Sequence, residues 1–349
     1  MSRQIALDTI HLKKTPRWAH TEYSLEYHTD LIGKWTGNSK TTHTGFGKLY
    51  DGCGMDFLWV SNDGLHADWK ARGRATDMGH AEYAADAGDK RETGSCPFKN
   101  EEDVWAFDPV KEYGLPDFNK QVSAYEEITA ERRKLYPGQL STGGYYKTII
   151  SGAIQSFGWD MLLTAATDEK KFERVLDGFF RYTMHHMKAW AQTSAEVIIQ
   201  HDDFVWSNGP FMHPEFYRRA IIPRYAELWK PLHKAGKKVL FCSDAAFTMF
   251  TDDIAGAGAD GFIFEPMNDF ALMAEKYGSS HCLVGSKVDC VDLTLGKWEK
   301  VKSDIDDTFR IAEKCRGFIF AVGNHLPANV PHDIRDKYLA YLLEKLNQR

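Results

Sequence analysis

The 349-residue sequence is most informative at first through what it lacks. No apolar run approaches the roughly 18 residues of a membrane-spanning helix, and the opening MSRQIALDTIHLKK has no continuous apolar stretch of the kind found in export signals. A cytoplasmic protein is expected. The six cysteines, Cys53, Cys96, Cys242, Cys282, Cys290 and Cys315, form no C-x-x-C pair, which argues against a disulfide framework and against a structural zinc ribbon. They are read as thiols. Charge is not segregated either: Lys plus Arg number 43 against 49 Asp plus Glu, a formal net charge of −6 without blocks of one sign, so neither nucleic acid nor a membrane surface is an expected partner. No G-x-G-x-x-G turn follows an apolar run, and Gly143-Gly144 alone is no dinucleotide fingerprint. Internal repeats and low-complexity segments are also missing.

What is present is an ordinary globular balance, 43% hydrophobic and 26% charged, with an aromatic share of 13% that includes 10 Trp and 21 Phe. Such a surplus fits either a core of large side chains or an aromatic-lined cavity. In the second half, short apolar runs alternate with helical periodicity, the pattern of βα units around parallel strands. The runs are Glu196 to Gln200, Lys238 to Phe241, Gly261 to Phe264, Cys282 to Gly285 and Gly317 to Val322. Helical spacing predicts helices over Pro214 to Ala235, Thr248 to Gly256, Leu295 to Cys315 and Val330 to Leu346. The first half is less regular. Met55 to Val60 reads as a strand, Tyr146 to Ile154 and Phe172 to Trp190 as strand and helix material, and residues 61–120 as a Gly- and charge-rich excursion. Five or more βα units in one chain predict an α/β fold, a single (β/α)8 TIM barrel over residues 1–349, with residues 1–50 as an N-terminal extension contributing to the rim or bottom.

In a barrel the chemistry collects where strands end, because the βα loops share one face. His201, Asp202 and Asp203 follow the first of the five runs; Cys242, Ser243 and Asp244 follow the second. Glu265 follows the third, Ser286, Lys287, Asp289 and Cys290 the fourth, and Gly323, Asn324 and His325 the last. His201, Asp203, Asp244 and Glu265 are therefore the candidate catalytic residues, with Trp206, Lys287 and Asn324 as candidate substrate contacts. Cys242 and Asp244 are two apart and share a face of an extended strand end, so together with His325 they form a candidate metal set, zinc being the fitting ion. Asp244 equally suits the N-cap of the helix that follows. His185-His186 lies within a predicted helix, adjacent rather than four apart, and is read as structural. The aromatic and His-rich stretch Trp18 to His28 either covers a pocket or packs the barrel bottom.

These strand-end residues carry a family resemblance. The stretch HDDFVWSNGPFMHPEFYRRAIIPRYAELWKPLHKAGKKVLFCSDA, continued by GADGFIFEP and AVGNHLPANVP, resembles the uroporphyrinogen decarboxylase superfamily from about Glu196 onward, and more weakly at Gly54 to Val60 and Pro16-Arg17-Trp18. The resemblance implies a single (β/α)8 barrel with its site at the strand C-termini. True decarboxylases of the family carry paired arginines near the N-terminus for a polycarboxylate substrate. Here the matching stretch is Pro16 to Leu25, the pair is replaced, and Glu22 and Glu26 would repel an octacarboxylate. The other branch, cobalamin-dependent methyltransferases, holds zinc on a His-x-Cys pair and a later Cys; the matching positions are Cys242, Asp244 and Asn324, next to His325. The expectation is a methyltransferase that takes a methyl group from a small O- or N-methyl compound, above all a methoxylated aromatic, to the cobalt of a corrinoid-binding partner protein, with zinc as a candidate metal and a homodimer as a candidate assembly. Its rivals are a decarboxylase or lyase on a small acid, using Asp202 or Asp203 as proton donor and Lys287 or an Arg as carboxylate anchor, and a non-catalytic tetrapyrrole-binding protein.

Overall fold

In each apolar run alternate side chains take opposite sides of the sheet, and both sides are covered. Val197, Ile199, Leu240, Cys242, Ile263, Cys282, Val284 and Ile319 form one buried cluster, the barrel interior. Their neighbours Ile198, Val239, Phe241, Phe262, Leu283 and Phe318 belong to the larger cluster shared with the surrounding helices. The computed structural model describes residues 2–37, 43–59, 82–83, 89–90, 96–146 and 148–349.

Eight strands form the barrel: β1 (Ala19–His20), β2 (Phe57–Leu58), a bent β3 (Leu140–Ser141 and Gly143–Tyr145), β4 (Val197–His201), β5 (Lys238–Cys242), β6 (Gly261–Ile263), β7 (Cys282–Gly285) and β8 (Gly317–Phe320). All neighbours from β3 through β8 and on to β1 pair in parallel. The first part of β3 pairs with β2, and the Asp56 amide donates to the His20 carbonyl at 2.9 Å, which brings β2 to β1 and closes the ring. The predicted (β/α)8 architecture is the observed one. Gly143, noted above as no nucleotide fingerprint, lets β3 run close beneath a helix: a Cβ there would lie 2.6 Å from the Trp190 ring.

The five strands read from apolar runs coincide with β4 to β8 to within two residues at each end. The stretch expected to be a lead-in is more than that, since it supplies β1, while Ala6 and Ile10 of the helix Ser2–Ile10 join the interior cluster. Of the predicted helix over Pro214 to Ala235, Tyr217–Ile221 is a widened π turn between Pro214–Phe216 and Ile222–Lys234. Pro223 has no amide hydrogen to give the preceding turn, which accounts for the local widening. Within the excursion 61–120, helices occupy Glu101–Trp105, Pro109–Tyr113 and the start of Phe118–Leu135. Its residues 61–81, 84–88 and 91–95, like Val60 at the end of the predicted strand, lie outside the described residues. No described helix is long and apolar enough to cross a membrane.

Candidate active site

The alternation that fills the barrel interior continues past the strand ends, and this sets which polar residues face the mouth. Ile199, His201 and Asp203 share one parity, as do Leu240, Cys242 and Asp244, and Ile263 with Glu265. His201 Nε2 lies 2.9 Å from Asp203 Oδ1 and 3.8 Å from Asp244 Oδ1. Asp203 is further fixed by the Asp244 amide at 2.9 Å and by the Tyr146 hydroxyl at 2.9 Å, and its own amide donates to Ser151 Oγ. Burial pushes the Asp203 carboxyl up, yet the charge and hydrogen bond of His201, with the Asp244 amide and Tyr146 hydroxyl, outweigh this and hold it below its usual range. Tyr146 also stacks on the imidazole at 4.1 Å between centroids, and Trp59 stands at 6.0 Å. The imidazole is thus held by one carboxylate and faces a second.

Glu265 and Asn324 brace this arrangement from β6 and β8. Glu265 accepts the Ala245 amide at 2.6 Å, and burial pushes its carboxyl up despite that bond. Asn324 Nδ2 lies 3.3 Å from Asp244 Oδ2, and its Oδ1 meets His325 Nδ1. Ala245 and Asn324 both have left-handed backbones, with φ of 71° and 63°. Such geometry costs about 1 to 2 kcal/mol for Ala and less for Asn, and it aims the Ala245 amide at Glu265. A cavity of about 10 Å³, room for one water, is lined by Trp59, Cys242, Asp244, Glu265 and Asn324 among others.

Not every candidate belongs to this cluster. Asp202, of the opposite parity, is fully buried outside the barrel interior and accepts the amides of Ile149, Ile150 and Ser151 and the Tyr225 hydroxyl at 2.6 Å. It anchors the start of the helix Ile150–Phe157, and its acceptor positions are filled, so it is unsuited to proton donation. Lys287 pairs with Asp307 at 2.9 Å on the helix Trp298–Ala312 and does not line the mouth cavity. Cys290 packs in the outer core, behind Asp289, which caps the helix Cys290–Thr294. Trp206 is on the rim, 45% exposed, beside Trp159 and Phe211. The N-cap alternative for Asp244 falls away, because Phe247 takes the cap position of the next helical turn. His186 is structural as read: its Nδ1 meets the Tyr125 hydroxyl at 2.7 Å and its ring stacks on Tyr145. The stretch Trp18 to His28 places Glu22, Tyr23, Ser24 and Glu26 in the wall of a cleft rather than at the bottom.

The metal set is rearranged. One donor atom from each of His201, Asp203 and Asp244 lies within 4.8 Å of the others, a spacing that suits a divalent cation. Cys242 and His325 do not join that group among the described residues. The Cys242 thiol is pushed far up by burial and by the neighbouring Asp244, Asp203 and Glu265, which disfavours the thiolate that zinc takes. Tyr146 and Trp59 were not singled out from sequence. Both directly follow strands, β3 and β2, so the strand-end rule finds them once β3 is recognised and the predicted strand Met55 to Val60 is ended at Leu58.

The site can be set beside known proteins. The family description "Uroporphyrinogen decarboxylase (URO-D)" matches residues 149–336, more than half of the chain and beginning upstream of the resemblance noted above. No curated protein matches the sequence. Among solved structures, a methyltransferase from Methanosarcina mazei is similar over 98% of this chain and 97% of its own, at 16% identity and a TM-score of 0.64. That likeness shows the fold. A D-psicose 3-epimerase from Clostridium cellulolyticum H10 (11% identity, 70% of this chain and 90% of that one, TM-score 0.36) and a xylose isomerase-like TIM barrel protein from Mycobacterium smegmatis (10%, 88% and 91%, TM-score 0.35) are too remote to carry an argument.

Proposed function

The chain belongs to the uroporphyrinogen decarboxylase family, and from that premise we propose that it is a methyltransferase, moving the methyl group of a small methyl ether to the cobalt of a corrinoid held by a separate protein. The carrying observation is the His201 imidazole at the barrel mouth, set between Asp203 and Asp244 and walled by Tyr146 and Trp59. Breaking a methyl–oxygen bond leaves an electron pair on oxygen, and that oxygen needs a proton as it departs. Asp244, whose carboxyl faces the imidazole at 3.8 Å, delivers it, because His201 Nε2 is the nitrogen already bonded to Asp203 at 2.9 Å. Asp203 fixes the ring, and the ring in turn faces Asp244. The low-valent cobalt of the corrinoid would be the methyl acceptor, reached from the face where the strands end. Exposed apolar side chains on the segments after β4, β5 and β6, Trp206, Met249 and Met267, support a partner docking on this face.

If a divalent ion is part of the site, His201, Asp203 and Asp244 would hold it, and it would polarise the ether oxygen in place of a proton. Metal analysis of the purified protein separates the two versions. Of the residues the decarboxylase alternative drew on, Asp202 is committed to backbone amides and Lys287 to Asp307, which leaves it Asp203 and an arginine. The fold likeness to the Methanosarcina protein, whose description reads methyltransferase, favours the same side. The test is methylation of cob(I)alamin across a panel of methoxyaromatics, read spectroscopically. Turnover that falls at least ~100-fold in Asp244→Ala while the fold persists supports the reading. Absence of methylation with every ether, with or without added corrinoid protein, overturns it.

A further inference from the structure

Beside the mouth lies a much larger space than the one at Asp244. A cleft of about 520 Å³, within the usual range for small-molecule sites, opens between the segment after β1, the helix His43–Gly52 and the helix Phe118–Leu135. Its walls carry Tyr23, Phe46, Tyr50, Trp59 and Tyr136, and Arg132 lies among them. Trp59 lines both this cleft and the small cavity with Asp244, so the two spaces share a wall. Tyr23 meets Trp59 at 5.6 Å, and Tyr50 meets Tyr136 edge-on at 5.3 Å.

The charges of this cleft are unevenly provided for. Glu22 is spoken for: it accepts from His20 at 3.1 Å, from the Val322 amide at 3.2 Å and from the Tyr338 hydroxyl. Glu26 is pushed toward its neutral form by burial. Arg132 is different. Among the described residues no carboxylate lies within ion-pair distance of its guanidinium and no side chain or carbonyl accepts a hydrogen bond from it, although it is half-buried. A guanidinium cannot shed its charge, and a partly desolvated one that no described carboxylate pairs, Glu131 of the same cleft acting on it only from beyond ion-pair distance, can take an anion. Its planar fork matches a carboxylate, and the neighbouring Tyr50 and Tyr136 hydroxyls, kept protonated by burial, are donors of the same kind.

We propose that this cleft binds an aromatic carboxylic acid, its carboxylate seated on Arg132 and its ring against the wall that ends in Trp59. For a methoxybenzoate-type donor this directs the methoxy end toward the side where His201 and Asp244 stand. The second part rests on the methyl-transfer reading; the carboxylate subsite does not.

The two are separable by experiment. Calorimetric titration compares 4-methoxybenzoate with 4-methylanisole, its neutral counterpart of nearly equal shape. The acid is expected to bind the wild-type chain at least ~10-fold more tightly. Arg132→Gln abolishes that preference while leaving affinity for the neutral ether within about twofold, and Arg132→Lys restores part of it. Tyr50→Phe and Tyr136→Phe, which keep the rings, each shrink the preference, so the claim stays exposed even if Arg132→Gln does not fold. Equal binding of the two compounds by wild-type protein, or a preference that survives in Arg132→Gln, overturns the subsite. Acid binding that depends on Arg132 but is followed by no methylation of cob(I)alamin keeps the subsite and removes the methyl-transfer reading. Methylation from 4-methoxybenzoate at the same rate and half-saturating concentration in Arg132→Gln as in the wild-type chain does the reverse.

Discussion

Asp202 and Asp203 are consecutive in the chain and do unrelated work. Asp202 faces outward at the end of β4, wholly buried, and holds three backbone amides and a tyrosine hydroxyl. Asp203 faces the mouth and holds an imidazole. The difference is a single step of strand parity, and it sorts Asp244, Glu265 and Lys287 in the same way. Inward positions such as Asp244 and Glu265 meet at the mouth, whereas Lys287 is turned to a surface ion pair. Residue type alone does not separate a carboxylate that faces the mouth from an architectural one; the face of the strand does.

That contrast can be broken at several points, beginning where the effect is largest. Asp244→Ala should lower methyl transfer by ~10² to 10⁴ with an unchanged melting temperature, as loss of an acid–base partner does. Near-normal turnover per folded molecule would place the chemistry elsewhere. Asp202→Ala is expected to behave in the opposite sense, losing about 2 to 4 kcal/mol in urea unfolding because buried amides lose their acceptor, while the folded fraction keeps its rate. A rate loss without a stability loss there would erase the distinction drawn from parity. Cys242→Ala sharpens the comparison, because Cys242 is inward yet apolar in character: it should cost about 1 kcal/mol and leave metal content unchanged. With its thiol pushed up by burial, Cys242 should also resist alkylation at pH 8 while the exposed Cys96 reacts, a difference read by mass spectrometry. Lys287→Ala gives the smallest effect, within about 0.5 kcal/mol and with no change in rate, since its ion pair with Asp307 is half-exposed on both sides.

The same parity explains what the sequence could and could not reveal. β4 to β8 are three to five residues long, built from continuous Val, Ile, Leu and Phe, and buried on both faces, so they are visible as apolar runs and their polar followers can be lined up. His201, Asp203, Asp244, Glu265 and Asn324 were legible for that reason. β1 has two residues and β3 is broken by Thr142, so no periodicity marks them, while β2 is read within Met55 to Val60 with its end set beyond Trp59. Trp59 and Tyr146, which directly follow β2 and β3, stayed hidden. Arg132 was invisible for another reason: it sits on a helix whose only signal is amphipathic spacing, and nothing local tells a solvated arginine from one facing a cleft. Cys242 and Lys287 were misassigned because a ligand-type side chain at a strand end looks the same whichever way it points and whatever surrounds it.

The left-handed backbone at Ala245 bears on how this protein would respond to selection for heat resistance. Glycine adopts that conformation without the Cβ penalty that alanine carries, so Ala245→Gly is the kind of change a thermostability screen rewards. The amide it would loosen is the one that holds Glu265 beside Asp244. A glycine selected at Ala245 should therefore arrive with slower turnover, whereas one selected at Leu12, left-handed with φ of 59° beside Gly317 at the start of β8, should not.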